Sequence, residues 1–165
     1  MKSGGSKAKG SSYEREICKA LSLWVSKGEK VDLYWRSAMS GGRATIAKGA
    51  VRQAGDITAV APEGHILTDV LYMELKFLKD ISLDGLLKGN GNLLAIWLKT
   101  CVEASKYNKT PVLIFKQNHF PVTFVTTDLG ISYLKIPRKM VRIKSYTMNM
   151  VRFDELIKIP FVVSK

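Results

Sequence analysis

The chain has 165 residues, enough for one domain with a sizeable core, and its 46% hydrophobic content excludes a disordered tail. Lys+Arg 26 against Asp+Glu 14 gives a net charge of +12, a surplus that points to a polyanionic partner, nucleic acid first. No apolar run approaches the roughly 20 residues of a membrane span, and the basic start MKSGGSKAKG lacks the apolar middle of a signal peptide, so a cytoplasmic setting without a membrane partner is expected.

Residues 1–10 are glycine, serine, lysine and alanine around one methionine, and read as a flexible basic arm ahead of a single domain spanning 11–165. Helical spacing of Tyr13, Ile17, Cys18, Leu21 and Trp24 predicts a helix from Ser11 to about Lys27, with Gly28 as its C-cap. Val31–Arg36 alternates and is rich in β-formers, so it reads as a strand. Residues 37–55 are small, glycine-rich and basic without a clean period, which predicts a long functional loop or projecting hairpin. Ile57–Ala61 reads as a second strand, Pro62–Gly64 as a turn and Val70–Phe77 as a third strand. A polar stretch at Asp84–Asn92 then leads into a helix over Leu93–Tyr107, with Asn92 as candidate N-cap. Pro111–Phe115 and Val122–Thr126 read as strands around the turn-like KQNHFP, and Asp128–Lys165 as further strands or turns. Cys18 and Cys101 fall among apolar residues and read as reduced core thiols. His65 and His119 are too few and too scattered for a histidine-rich metal site. The order α-β-β-β-α-β-β implies an α/β fold, a central mixed β-sheet flanked by helices.

Three charges stand out. In YMELK (72–76) the side chains of Tyr72, Glu74 and Lys76 share one strand face, and GDITAV (55–60) puts Asp56 at the head of another strand. If that strand pairs with the third, Asp56 and Glu74 converge into a hard, oxygen-rich site suited to Mg²⁺. Lys76 would then orient water and stabilise charge developing on a scissile phosphate. The competing reading is a solvated salt-bridging pair on an exposed strand. Glu14 lies inside the apolar arc of the first helix, where a carboxylate is costly unless satisfied. Two explanations are open: a capping box in Ser11-x-x-Glu14, or a third carboxylate reaching the metal site. Lys7, Lys9, Arg15, Arg36, Arg43, Lys48, Arg52 and Lys79 surround these acids in sequence, a positive rim of the kind a phosphodiester substrate requires.

KGSSYEREI, WRSAMSGG, GDITAV and YMELK, in this order, resemble the archaeal-type Holliday junction resolvases of the PD-(D/E)xK nuclease superfamily. LKTCVEASKYNKTPVLIFK is similar to that family's second helix and following strand, and the likeness covers about residues 9–126. The resemblance implies an αβββαβ nuclease core, a homodimer, and two active sites that cut opposed strands of a four-way junction. It assigns the helix glutamate to Glu14, the metal aspartate to Asp56, the E-x-K pair to Glu74 and Lys76, the two arginines to Arg15 and Arg36, and the loop serine to Ser40, with Ser37 as alternative. The expected metal set is Asp56, Glu74, Glu14 and the carbonyl of Leu75, holding Mg²⁺ with Mn²⁺ as substitute. The segment from Ser40 to Asp56 is longer than the compact loop of the family, Gly55 stands where the superfamily name has proline, and the last forty residues align with nothing in it. Three functions fit these residues: a junction resolvase, a nuclease for restriction, repair or flap DNA, and a non-catalytic basic DNA-binding module. Preference for a four-way junction over linear DNA separates the first two, and any metal-dependent cut excludes the third.

Overall fold

The structure is a computed structural model, and it describes residues 5–37, 54–137, 141–143 and 148–164. The predicted loop over 37–55, with Ser40, Arg43, Lys48 and Arg52, lies almost wholly outside the described residues. Helix α1 (Gly5–Val25) leads to strand β1 (Tyr34–Arg36), then β2 (Ile57–Ala59), a 3-10 turn at Pro62–Gly64, α2 (His65–Thr68) and β3 (Leu71–Leu78). Helices α3 (Leu83–Leu87) and α4 (Asn92–Ser105) cross to β4 (Thr110–Gln117). After β5 (Thr123–Thr126) come α5 (Asp128–Tyr133), β6 (Val141–Ile143), β7 (Met148–Arg152) and α6 (Phe153–Leu156).

The main sheet runs β3-β4-β5-β7-β6; β3 and β4 are parallel and the other neighbours antiparallel. This is the mixed sheet that the order of elements predicts. Next to the edge strand β3 lies β4, whose Val112–Ile114 run is fully buried because helices cover both faces. On one face Met73, Leu75, Val112, Ile114 and Phe124 pack with Tyr13, Ile17, Leu21 and Trp24 of α1. On the other, Leu113, Phe115 and Val125 pack with Leu93, Leu94 and Trp97 of α4. The i, i+4, i+8, i+11 stripe on α1 therefore does what its spacing predicts.

Several boundaries differ from expectation. Helix α1 begins at Gly5, inside the stretch expected to be a flexible arm. That stretch has no apolar period to reveal a helix, but lysine and alanine extend one readily once the downstream turns have nucleated it. At its other end Gly28, at φ +94, donates its N–H to Leu23 O at 2.7 Å, the expected glycine stop. Asn92 is the first residue of α4, with Gly91 as its cap, and its side-chain amide donates to Asp80 O instead. The short helices α2, α3, α5 and α6 are too brief to show a period in sequence.

The C-terminal segment, which aligns with nothing in the resembled family, fastens α1 to the sheet layer. Trp24 Nε1 donates to Ile159 O at 2.7 Å, and its ring meets Phe161 edge-on at 4.9 Å. Replacing Trp24 by Phe removes the hydrogen bond and part of this packing. A loss of about 1–2 kcal/mol is expected, read as a lower midpoint in thermal unfolding with faster proteolysis within 157–164. Among the described residues no helix is long and apolar enough to cross a membrane.

Candidate active site

Strand β3 is an edge strand of the main sheet, and its free edge is where the acids gather. The expected ladder between Ile57–Ala61 and the third strand does not form. Strand β2 pairs antiparallel with β1, and among the described residues one parallel bridge, Gly55 to Met73, ties this small sheet to β3. That bridge still delivers Asp56 to the predicted place.

Among the described residues three hydrogen bonds hold Asp56. Its N–H donates to Met73 O at 2.8 Å, its carbonyl accepts from Ser37 N–H at 2.8 Å, and its Oδ2 accepts from Leu75 N–H at 2.8 Å. Among the described residues Oδ1 accepts no hydrogen bond. In a strand the N–H and C=O of one residue point to the same side, so the Leu75 carbonyl opens onto the edge that Asp56 occupies.

Glu74 and Lys76 lie on one face of β3, as alternation predicts, with Lys76 Nζ 2.5 Å from Glu74 Oε1. Tyr72, two residues before, donates its hydroxyl to Glu74 Oε2 at 3.4 Å. Glu14 is partly buried and faces Arg36, whose guanidinium is 3.6 Å from Glu14 Oε2. Because α1 starts at Gly5, Ser11 is no helix N-cap, and the capping-box explanation of Glu14 fails. The carboxylate points instead to the same region as Asp56 and Lys76, both of which feel its charge.

The electrostatics are those of crowded acids. Burial, then the negative charge of Glu74, pushes the Asp56 carboxyl up to about 6, against the Leu75 hydrogen bond and Lys76, which favour its ionised form. For Lys76, burial opposes the charge, but the bond to Glu74 and the fields of Glu74, Asp56 and Glu14 outweigh it and hold the ammonium above the ordinary lysine value. Burial and the nearby carboxylates Glu74 and Asp56 likewise push the Tyr72 hydroxyl up, so it stays protonated and remains a donor.

Among the described residues, no three histidine, cysteine, aspartate or glutamate side chains form a ready-made metal cage. The donor set nevertheless fits a hard divalent cation. Asp56 Oδ1 and the Leu75 carbonyl are oxygen donors at the edge of β3, with the Glu74 carboxylate on the adjoining face, and Mg²⁺ ordinarily takes one or two carboxylates and keeps several waters.

The structure thus brings together Glu14, Arg36, Asp56, Glu74, Leu75 and Lys76. Arg15 and Lys79 are exposed, and no ion pair among the described residues links them to these acids. Lys9 lies in the first turns of α1. Ser37, the alternative for the loop serine, is buried beside Asp56. Sequence reasoning misses Tyr72, although its position on the Glu74 face of the strand is the signal that could have found it.

Comparison with curated proteins and with solved structures returned no match. Comparison with protein families matched residues 5–159 to the family described as "Phage putative PDDEXK endonuclease". This match runs from the first turn of α1 past α6, and so takes in the Asp56–Glu74–Lys76 edge together with the C-terminal strands. The chain belongs to this PD-(D/E)xK endonuclease family, a nuclease family whose substrate is DNA.

Proposed function

We propose that the chain is a Mg²⁺-dependent endonuclease that resolves four-way DNA junctions by paired nicks, acting as a homodimer, with Mn²⁺ as a substitute ion. The observation that carries the metal-dependent part is Asp56, a buried carboxylate pushed up to about 6 beside a second carboxylate. Such an arrangement is costly for an isolated fold and becomes favourable when a cation shares the two acids.

Asp56, Glu74 and the Leu75 carbonyl would hold the ion, with Glu14 placed by Arg36 at its border. A divalent cation held there would supply Lewis-acid polarisation of the scissile phosphate and a more acidic water. Lys76, kept charged by Glu74, orients the attacking water and stabilises the charge that gathers on the phosphate oxygens as the P–O bond breaks. Ser40 would contact the phosphate near the cut. Lys9, Arg15, Arg36, Arg43, Lys48, Arg52 and Lys79 would hold flanking phosphates without reading bases.

The junction part is supported by the ordered motifs shared with the archaeal-type resolvases and by the net charge of +12. Backbone contacts made at several places select branch shape over base sequence. The test is cleavage of a labelled four-way junction beside linear, flap and fork DNA of matching sequence. Paired symmetric nicks on the junction, with the other substrates at least about tenfold slower, a modest discrimination by the usual scale, is the expected result. Equal cutting of all four would leave a nuclease of restriction, repair or flap type and contradict the resolvase.

A further inference from the structure

The stretch Tyr72-Met73-Glu74-Leu75-Lys76 places three polar side chains in a row on one face of β3. Glu74 sits in the middle with both oxygens engaged: Lys76 Nζ on Oε1, and the Tyr72 hydroxyl on Oε2 at 3.4 Å. A carboxylate held on one oxygen alone can still swing about its last torsion. A donor on each side fixes its plane.

Tyr72 is itself held firmly. Its ring stacks on Tyr107, with centroids 6.1 Å apart and planes inclined by 17°, and packs with Ala54 and Ala104. Ala54 immediately precedes Gly55 and Asp56, so the same small cluster borders both acid-bearing segments. Through Ala104 and Tyr107 it joins the end of α4 to the site edge.

We propose that Tyr72 is a positioning residue: its hydroxyl, anchored by the Tyr107 stack, sets the orientation of the Glu74 carboxylate and so tunes how tightly this edge takes a divalent cation. The inference rests on Glu74 being a ligand of that cation. Hydrogen-bonded partners of ligating carboxylates fix their geometry, and removing one weakens metal affinity by about tenfold or more.

Tyr72→Phe keeps the ring, the stack and the packing, and deletes only the donor. Cleavage rates of wild type and variant would be followed across a Mg²⁺ titration, with Mn²⁺ binding to the DNA-free proteins by calorimetry and thermal unfolding in parallel. The expected result is a Mg²⁺ half-saturation about tenfold higher in the variant, a matching loss in Mn²⁺ affinity, recovery of the lost rate as Mg²⁺ is raised, and an unchanged unfolding midpoint. A wild-type enzyme that cuts while Tyr72→Phe shows the same Mg²⁺ dependence would overturn the inference and leave the nuclease standing, as would a variant altered only in its unfolding midpoint. A wild type that neither binds Mn²⁺ nor cuts would overturn the cation site and the inference together.

Discussion

Asp56→Asn is expected to abolish cleavage, by about 10³-fold or more, and at the same time to make the metal-free protein more stable at neutral pH. The unfolded chain ionises Asp56 near the ordinary carboxylate value, whereas the folded chain does so only near 6. Between those values the folded state binds the extra proton, so stability falls as pH rises through that window and stays reduced above it. An asparagine still accepts the Leu75 N–H through its amide oxygen but carries no charge to bury. The variant should therefore gain on the order of 2 kcal/mol over wild type at pH 7–8, and the gain should shrink through about pH 4 and vanish only below about pH 3, where aspartate is protonated in both states. Added Mg²⁺ should raise the wild-type midpoint and leave the variant's unchanged. Thermal unfolding at three pH values, with and without Mg²⁺, checks all of this. A variant less stable than wild type at neutral pH would mean that Asp56 is a structural acid.

Gly55→Ala is expected to be the most damaging single-methyl change near the site. Gly55 lies at φ +91, and a Cβ there would stand 2.6 Å from Met73 O, with Met73 N at 3.1 Å. Both atoms belong to the backbone of β3, so no side chain can swing aside. Strain from the left-handed backbone and loss of the one bridge that joins the two sheets among the described residues should cost about 2–4 kcal/mol, a fall of several degrees or more in unfolding midpoint for a chain of this size. Cleavage should fall further than stability accounts for, because the bridge also delivers Asp56. The proline of the superfamily name fails here for a different reason: its ring fixes φ near −65°, and it could not reach +91°. A Gly55→Ala protein with wild-type midpoint and activity would show that the close approach to Met73 is not needed.

Much of this site is readable from residue order, for definite physical reasons. Alternation along β3 separates Leu75, in the core, from Glu74 and Lys76, because strand side chains have a period of two. The stripe Tyr13, Ile17, Leu21, Trp24 identifies the buried face of α1 and exposes Glu14 as an anomaly on it. Whether Glu14 caps the helix or serves the site depends on where the helix starts, and the Gly-Ser-Lys stretch before Ser11 carries no periodic signal of that start. The pairing of β2 is likewise hidden. A strand of three residues satisfies its apolar pattern beside β1 as well as beside β3, and an isolated bridge leaves no pattern at all. Alternation puts Tyr72 on the Glu74 face, but its role as a donor escapes notice, because a tyrosine in a strand reads first as a β-former and its hydroxyl acquires meaning only when it is found against Glu74. The short helices α5 and α6 sit in a segment expected to hold only strands and turns, each being under two turns long.

The most direct test is cutting itself. A labelled four-way junction would be incubated with wild type in Mg²⁺, with wild type in chelator, and with Asp56→Asn and Lys76→Ala in Mg²⁺. Nicks by wild type in Mg²⁺, none in chelator or with Asp56→Asn, and strongly slowed cutting with Lys76→Ala are predicted. Cutting that survives the chelator, or that Asp56→Asn performs at the wild-type rate, would contradict a metal-dependent nuclease centred on the edge of β3.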